Sequence, residues 1–145
     1  MRQTRFITRA AALLVTLPAM TAHAECSLGV SDVVFGEYDV FAPNDSLITG
    51  SVGLSCDSET NVQVALSAGN GTFDARRMLN GTHSLFYNLY LDAGRLSLWG
   101  DGSPGTNVLG LSGSGGNYTI YGRIPARQNV RSGLYSDTIV VSLTF

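Results

Sequence analysis

Apolar and polar residues alternate over most of the chain from Cys26 onward. The alternating stretches are, in order, CSLGVSDVVFG, SLITGSVGLSC, NVQVALSAG, SLFYNLYLD, NYTIYGRI and YSDTIVVSLTF. A period of two is that of a β-strand with one face in a core and the other in solvent. The stretches lack the 3.6-residue period of an amphipathic helix, so the pattern predicts an all-β protein.

Turn-forming residues separate the predicted strands. Asn70-Gly71 and Asn80-Gly81 are pairs typical of tight turns, and a Gly-rich run extends from Gly100 to Gly105. Short strands at this spacing predict an antiparallel β-sandwich. The Gly/Ser stretch from Gly110 to Asn117 is compatible with a flexible loop or with an irregular edge strand.

The sequence ends inside the last predicted strand. Ile139, Val141, Leu143 and Phe145 lie on one face of that strand, and mostly polar residues lie on the other. No residue follows Phe145 in this sequence to form a neighbouring strand. We therefore expect the free edge and the apolar face of this strand to need a cover from elsewhere.

The first 24 residues have the pattern of a secretory signal peptide. Basic residues at Arg2, Arg5 and Arg9 precede a short apolar run, and the small-x-small triplet ending at Ala24 precedes Glu25. A membrane anchor is the alternative, but the run is shorter than the ~20 residues that span a bilayer. We expect cleavage between Ala24 and Glu25, which leaves residues 25–145 as one exported domain without a membrane span.

Charge gives little indication of a polyanionic partner. The chain has 9 Arg and Lys residues against 11 Asp and Glu residues, a net charge of −2, and it contains no lysine. Removal of residues 1–24 takes away three arginines and no acid, so the exported domain is more acidic still. We therefore expect no binding to nucleic acid or to anionic lipid.

The two cysteines, Cys26 and Cys56, both lie beyond the predicted cleavage point. An even number of cysteines in an exported chain favours a disulfide over a metal site, with two buried free thiols as the alternative. In the chain-entropy model, closing a loop of this length stabilises the fold by about 3–4 kcal/mol.

Candidate chemistry is sparse. His83 is the one histidine after Ala24, and the sequence has no G-x-S-x-G nucleophile motif beside it. Asp92, Asp101 and Asp137 are scattered and do not form a calcium-binding loop. We therefore expect neither catalytic nor metal-binding residues, and no cofactor.

Aromatic residues are the remaining candidates for ligand binding. They are Tyr87, Tyr90, Trp99, Tyr118 and Tyr121. These side chains form a glycan- or surface-binding platform if they share one exposed face. Alternatively, some of them pack in the core and the others lie on the sheet surface, which is common for tyrosine in strands.

Several motifs together give the chain a resemblance to a known family. They are F-G-x-Y after the first cysteine, R-R-M at residues 76–78, Y-N-L-Y at residues 87–90, and Y-G-R-I-P followed by G-x-Y-x-D at residues 121–137. In this order they resemble the spore coat protein U domain family, over essentially the whole chain after Ala24. That family includes subunits of archaic, Csu-type chaperone–usher pili.

The resemblance implies an immunoglobulin-like antiparallel β-sandwich that lacks its final strand. Such subunits receive a strand from a periplasmic chaperone, pass to an outer-membrane usher, and then receive a strand from the neighbouring pilus subunit. Their disulfide corresponds here to Cys26 and Cys56. The strand-acceptor groove is expected along Ile139, Val141, Leu143 and Phe145.

The resemblance also raises the question of position in a fibre. Shaft subunits carry a donor segment before the first cysteine, whereas cleavage after Ala24 leaves only Glu25 before Cys26. We therefore expect a tip or terminal subunit of an adhesive, biofilm-forming surface fibre, or a secreted family member outside a fibre. The alternative function is a self-contained secreted binding module that uses its aromatic face.

Overall fold

The computed structural model describes residues 25–145, and the signal-peptide prediction for residues 1–24 lies outside this range. Within the described residues the chain forms six β-strands and no helix. The strands are β1 (Cys26–Val30), β2 (Ser46–Leu66), β3 (Arg76–Asn80), β4 (His83–Tyr90), β5 (Leu109–Ile124) and β6 (Val141–Thr144). In this part of the chain, no helix is long and apolar enough to cross a membrane.

The strands form one curled antiparallel sheet in the order β1-β2-β5-β4-β3, with β6 also paired to β2. β5 occupies one edge of β2, so β1 and β6 lie end to end along the other edge. An isolated bridge between Leu79 of β3 and Ser136 connects the far end of the sheet to the segment before β6. The sheet therefore curls around one core, which confirms the predicted all-β, antiparallel fold class.

β2 differs from the prediction because two alternating stretches form one strand of 21 residues. Its pairing with β5 shifts register between Ser55 and Thr60, as expected at a β-bulge. Opposite this shift, Gly115 has a φ of +122°, and a side chain there would collide with the carbonyl oxygen of Leu54. The Gly/Ser stretch is therefore part of β5, in accord with the irregular-strand interpretation.

The core lies inside the curl and is built from the inward positions of the strands. Val52 and Val64 of β2 are fully buried, as the alternation predicts, and Ile124 of β5 is 1% exposed. Trp99 is also fully buried, and its indole Nε1 donates a hydrogen bond to the carbonyl oxygen of Val64 at 2.9 Å. This bond satisfies the one polar atom that the largest core side chain brings inside.

Cys26 and Cys56 lie directly opposite each other on β1 and β2 and form a disulfide. The described residues contain no free cysteine. The disulfide fixes the start of the segment that leads from β1 to residue 41, which otherwise has few backbone contacts. It therefore connects that segment to the middle of the sheet.

Replacing both cysteines by alanine is expected to lower the free energy of unfolding by about 3–4 kcal/mol, because the unfolded chain loses its closed loop. Urea unfolding followed by Trp99 fluorescence measures this loss. A reducing agent should lower the unfolding midpoint of the wild-type chain and leave that of the double variant unchanged. Equal midpoints for the two chains without reductant would contradict a stabilising disulfide.

Candidate functional site

A groove of about 1000 Å³ lies at one side of the core. Two segments outside the named strands form its walls: wall A, residues 31–41, and wall B, residues 130–139. Its floor is formed by core side chains of β3, β4 and β5, namely Met78, Leu85, Tyr87, Leu89 and Ile124. The groove is therefore a gap between two chain segments that opens directly onto the hydrophobic core.

Wall A is held mainly by side chains. Phe35 packs edge-on against the ring of Tyr87, with 5.8 Å between ring centroids. The hydroxyl of Tyr38 donates to the carbonyl oxygen of Pro125 and accepts from the amide of Gln128, each at 2.8 Å. Within residues 25–145, the backbone groups of residues 32–38 form no hydrogen bond. Wall A thus leaves the backbone groups of residues 32–38 without a partner in this part of the chain.

Wall B is bonded along one edge only. Ser136 exchanges backbone hydrogen bonds with Leu79, and just after wall B the carbonyl oxygen of Val140 accepts from the amide of Ser67 at 2.9 Å. Backbone groups of successive residues in a strand point to opposite edges. The amides and carbonyls of Tyr135 and Ile139 therefore face the groove, where no described residue pairs with them.

The same alternation of backbone directions continues into β6. In the register of β6 with β2, Ser142 and Thr144 continue the positions of Ser136 and Val140, so their backbone groups are expected to point toward β2. Val141 and Leu143 consequently present their backbone groups to the opposite edge. Wall B and β6 together form one open edge, and its outward-facing backbone groups belong to Tyr135, Asp137, Ile139, Val141 and Leu143.

The structure distributes the four predicted acceptor residues along this edge. Ile139 lines the groove, whereas Val141 and Leu143 are half-buried and pack against the core. Phe145 is 66% exposed at the end of the chain. The groove itself extends upstream of the predicted region, along residues 130–139, and wall A was not predicted to line it. In the sequence, the signal for wall A is the apolar series Val33, Phe35 and Val40.

A polar side chain lies in wall B among these apolar groups. The carboxylate of Asp137 accepts hydrogen bonds from the Tyr87 hydroxyl at 2.7 Å and from the Asn70 side-chain amide at 2.8 Å. Burial raises the pKa of the Tyr87 phenol well above its ordinary value, and the hydrogen bond to Asp137 raises it further. Tyr87 therefore stays protonated and donates to Asp137 at every physiological pH.

Opposite Tyr87, on the neighbouring strand β3, lies Arg76, which is fully buried. Its guanidinium donates to the carbonyl oxygens of Ser67 and Trp99 and to the Asn88 side chain, at distances of 2.7–3.0 Å. Burial lowers the pKa of this guanidinium, whereas the nearby Tyr87 and Asp137 oppose the shift. The alternation pattern does not reveal such a residue, because its partners come from three separate parts of the chain.

The aromatic platform does not form as one exposed face. Trp99, Tyr87 and Tyr90 are at most 8% exposed, so their rings are part of the core. Tyr118 and Tyr121 remain half-buried on the sheet, and Arg95 lies over the Tyr121 ring at 5.8 Å. His83 begins β4, and the described residues contain no group of three metal-ligating side chains.

Comparison with known proteins identifies the family of this chain. The model of the Spore Coat Protein U domain matches residues 10–142. The chain belongs to the Spore Coat Protein U domain family. Among its relatives, Protein U of Myxococcus xanthus is 34% identical, and the alignment covers 96% of this chain and 94% of that protein.

The fold of this Spore Coat Protein U domain also occurs in a solved structure. That structure is the CsuC–CsuE chaperone–tip adhesion subunit pre-assembly complex from archaic chaperone–usher Csu pili of Acinetobacter baumannii. The TM-score is 0.63 at 23% sequence identity, and the match covers 86% of this chain. The chain spans only 40% of the matched chain, so the likeness concerns the fold of this domain.

Proposed function

We propose that this chain is an exported subunit of a surface fibre of the chaperone–usher type, and that its groove accepts a β-strand from a partner. The observation that carries the proposal is the open edge from Tyr135 to Leu143, which lies beside a groove of about 1000 Å³ open to the core. The fold likeness to a complex described as a chaperone–tip adhesion subunit of Csu pili supports the same function.

The proposed mechanism follows from the unpaired backbone groups of the open edge. A strand laid between walls A and B would bond to the backbone groups of Tyr135, Asp137 and Ile139, which have no partner in the described residues. Its alternate side chains would enter the groove above Leu85 and Leu89 and fill the gap over the core. Strand addition of this kind provides affinity through the backbone and selectivity through the side chains.

The partners change as assembly proceeds. An uncovered edge promotes aggregation, so a periplasmic chaperone is proposed to occupy the groove first. An outer-membrane usher then receives the complex, and a neighbouring subunit supplies the final strand at the cell surface.

Export through the signal peptide at residues 1–24 and cleavage before Glu25 are part of this proposal, as is a tip or terminal position in the fibre. N-terminal sequencing of the exported protein tests the cleavage position directly.

Successive side chains of wall B and the residue after it point in opposite directions, which provides a test with a matched control. Ile139 faces the groove, whereas its neighbour Val140 is 59% exposed on the other face. Ile139→Asp is expected to weaken capture of a labelled peptide of alternating valine and threonine by at least about tenfold, because a charge enters an apolar groove. Val140→Asp is expected to change capture less than about twofold, since its side chain points away from the groove.

Fluorescence anisotropy measures peptide capture, and Trp99 fluorescence confirms that each variant is folded. Ile139→Thr serves as a milder variant in case Ile139→Asp does not fold, and it should weaken capture in the same direction. Equal affinities of the two aspartate variants, or full affinity of both Ile139 variants, would contradict the proposed acceptor edge.

A further inference from the structure

Three of the sequence motifs meet at one place in the fold, where wall B contacts the groove floor. Arg76 comes from R-R-M, Tyr87 and Asn88 come from Y-N-L-Y, and Asp137 comes from G-x-Y-x-D. Hydrogen bonds join them in two pairs, Arg76 to Asn88 at 2.8 Å and Tyr87 to Asp137 at 2.7 Å. The proposed strand acceptance uses the apolar floor and the backbone edge, and it leaves this polar cluster without a role.

Asp137 is the member that lies on the groove wall. Its carboxylate accepts four hydrogen bonds: from the Tyr87 hydroxyl, from the backbone and side-chain amides of Asn70, and from the amide of Thr138. Two of its partners belong to other parts of the fold, since Tyr87 lies on the floor and Asn70 in the turn after β2. The carboxylate therefore connects wall B to both.

Tyr87, the partner of Asp137 on the groove floor, is buried and packed against its neighbours. Tyr87 is 5% exposed, and its ring packs against Phe35 of wall A. Arg76 is fully buried, and its hydrogen bonds fix Asn88, the residue after Tyr87 in β4. The Tyr87 hydroxyl thus belongs to a side chain packed in the core, and its hydrogen bond connects Asp137 to that core.

Wall B forms few other hydrogen bonds to the rest of the fold. From Arg131 to Ile139, its backbone bonds to the rest of the fold are the pair between Ser136 and Leu79. Tyr135 bonds within the wall, to the carbonyl oxygen of Arg131. A segment with so few bonds opens easily on its own, unless a side chain holds it.

We propose that Asp137 is a positioning residue that holds wall B in the extended conformation a partner strand requires, before that strand arrives. The proposal rests on the proposed function of the groove. Without the carboxylate, wall B would populate other conformations, and only the remaining extended fraction could pair with a strand. Apparent affinity falls in proportion to the competent fraction, and the loss should lie in the association rate.

The test compares Asp137→Ala and Tyr87→Phe with the control Thr138→Ala in the full chain. Tyr87→Phe removes one oxygen and keeps the ring against Phe35, so it is the variant least able to disturb folding. Thr138 is exposed, and its backbone bond to Asp137 does not depend on its side chain. Stopped-flow capture of the labelled valine–threonine peptide gives the association and dissociation rates, and trypsin cleavage after Arg131 reports the opening of wall B.

We expect Asp137→Ala to slow association about tenfold while the dissociation rate changes less than about threefold. Cleavage after Arg131 should accelerate about tenfold, because it requires an opened wall. Tyr87→Phe should shift both readouts in the same direction, the double variant should be no worse than Asp137→Ala alone, and Thr138→Ala should stay within about twofold of wild type.

Wild-type rates of cleavage after Arg131 in both Asp137→Ala and Tyr87→Phe would overturn the positioning role. So would a loss of affinity that appears entirely in the dissociation rate. If the wild-type chain fails to capture the peptide, the proposed function of the groove fails. The trypsin readout then still decides whether Asp137 holds wall B.

Discussion

A chain extended beyond Phe145 by a flexible Gly/Ser linker and a strand of alternating valine and threonine is expected to be far more stable than the unextended chain. The linker lets the added strand turn back and run antiparallel to the open edge from Leu143 to Tyr135. Its valines would cover the groove floor, and each large apolar side chain buried there contributes roughly 1.5–3 kcal/mol before entropy costs. Because the strand is tethered, little association entropy is lost.

With three or four such side chains, a net gain of several kcal/mol remains, which corresponds to a rise in Tm of roughly 15–30 °C. Thermal unfolding of both chains, followed by Trp99 fluorescence, measures the difference. The matched control carries the same linker and a strand of the same length in which serine replaces valine. It should gain little, and an equal Tm for all three chains would contradict an incomplete fold.

Replacement of Arg76 by alanine is expected to lower the free energy of unfolding by about 3–5 kcal/mol. Arg76 is fully buried, and its removal leaves a cavity beside Trp99. The carbonyl oxygens of Ser67 and Trp99 and the side chain of Asn88 would lose their donor. Buried polar groups without a partner carry a large desolvation cost.

The neighbouring arginine provides the control. Arg77 is exposed and donates to the carbonyl oxygen of Asn70, which lies at the surface. Arg77→Ala is therefore expected to cost less than about 1 kcal/mol. Guanidinium unfolding of both variants measures the contrast, and similar losses for Arg76→Ala and Arg77→Ala would show that burial of Arg76 does not stabilise the fold.

The strands and their inward faces were predictable because alternation is a local property. Val52, Val64 and Ile120 occupy buried positions that follow from the period of two alone. The last strand was predictable for the same reason, including the side of the strand on which Ile139, Val141 and Leu143 lie.

The continuity of β2 and the role of wall A were not predictable in the same way. The bulge between Ser55 and Thr60 depends on Gly115 in β5, a residue far away in the sequence. The alternation of apolar and polar residues from Val33 to Phe35 predicts a strand, but it does not indicate whether that strand has a neighbour. The groove depends on that missing neighbour, so its full extent emerges only in three dimensions.

The burial of Arg76 could not be predicted from the sequence either. A charged residue beside a second arginine is typical of an exposed segment, and sequence patterns favour that assignment. Its burial is made possible by oxygen atoms of Ser67, Asn88 and Trp99, which only the folded chain brings together. The motif R-R-M pointed to the family but gave no indication that one arginine is in the core and the other in solvent.

Amide hydrogen exchange along wall B and β6, measured by NMR in the unextended chain and in the strand-extended chain, tests whether the edge from Tyr135 to Leu143 accepts a strand. In the unextended chain, the amide of Ile139 faces the groove, whereas that of Val140 donates to the Ser67 hydroxyl at 2.9 Å. The added strand should slow exchange at Tyr135 and Ile139 by at least about a hundredfold relative to Ser136 and Val140. Unchanged exchange at Ile139, or equal slowing at all four amides, would contradict an edge built to accept a strand.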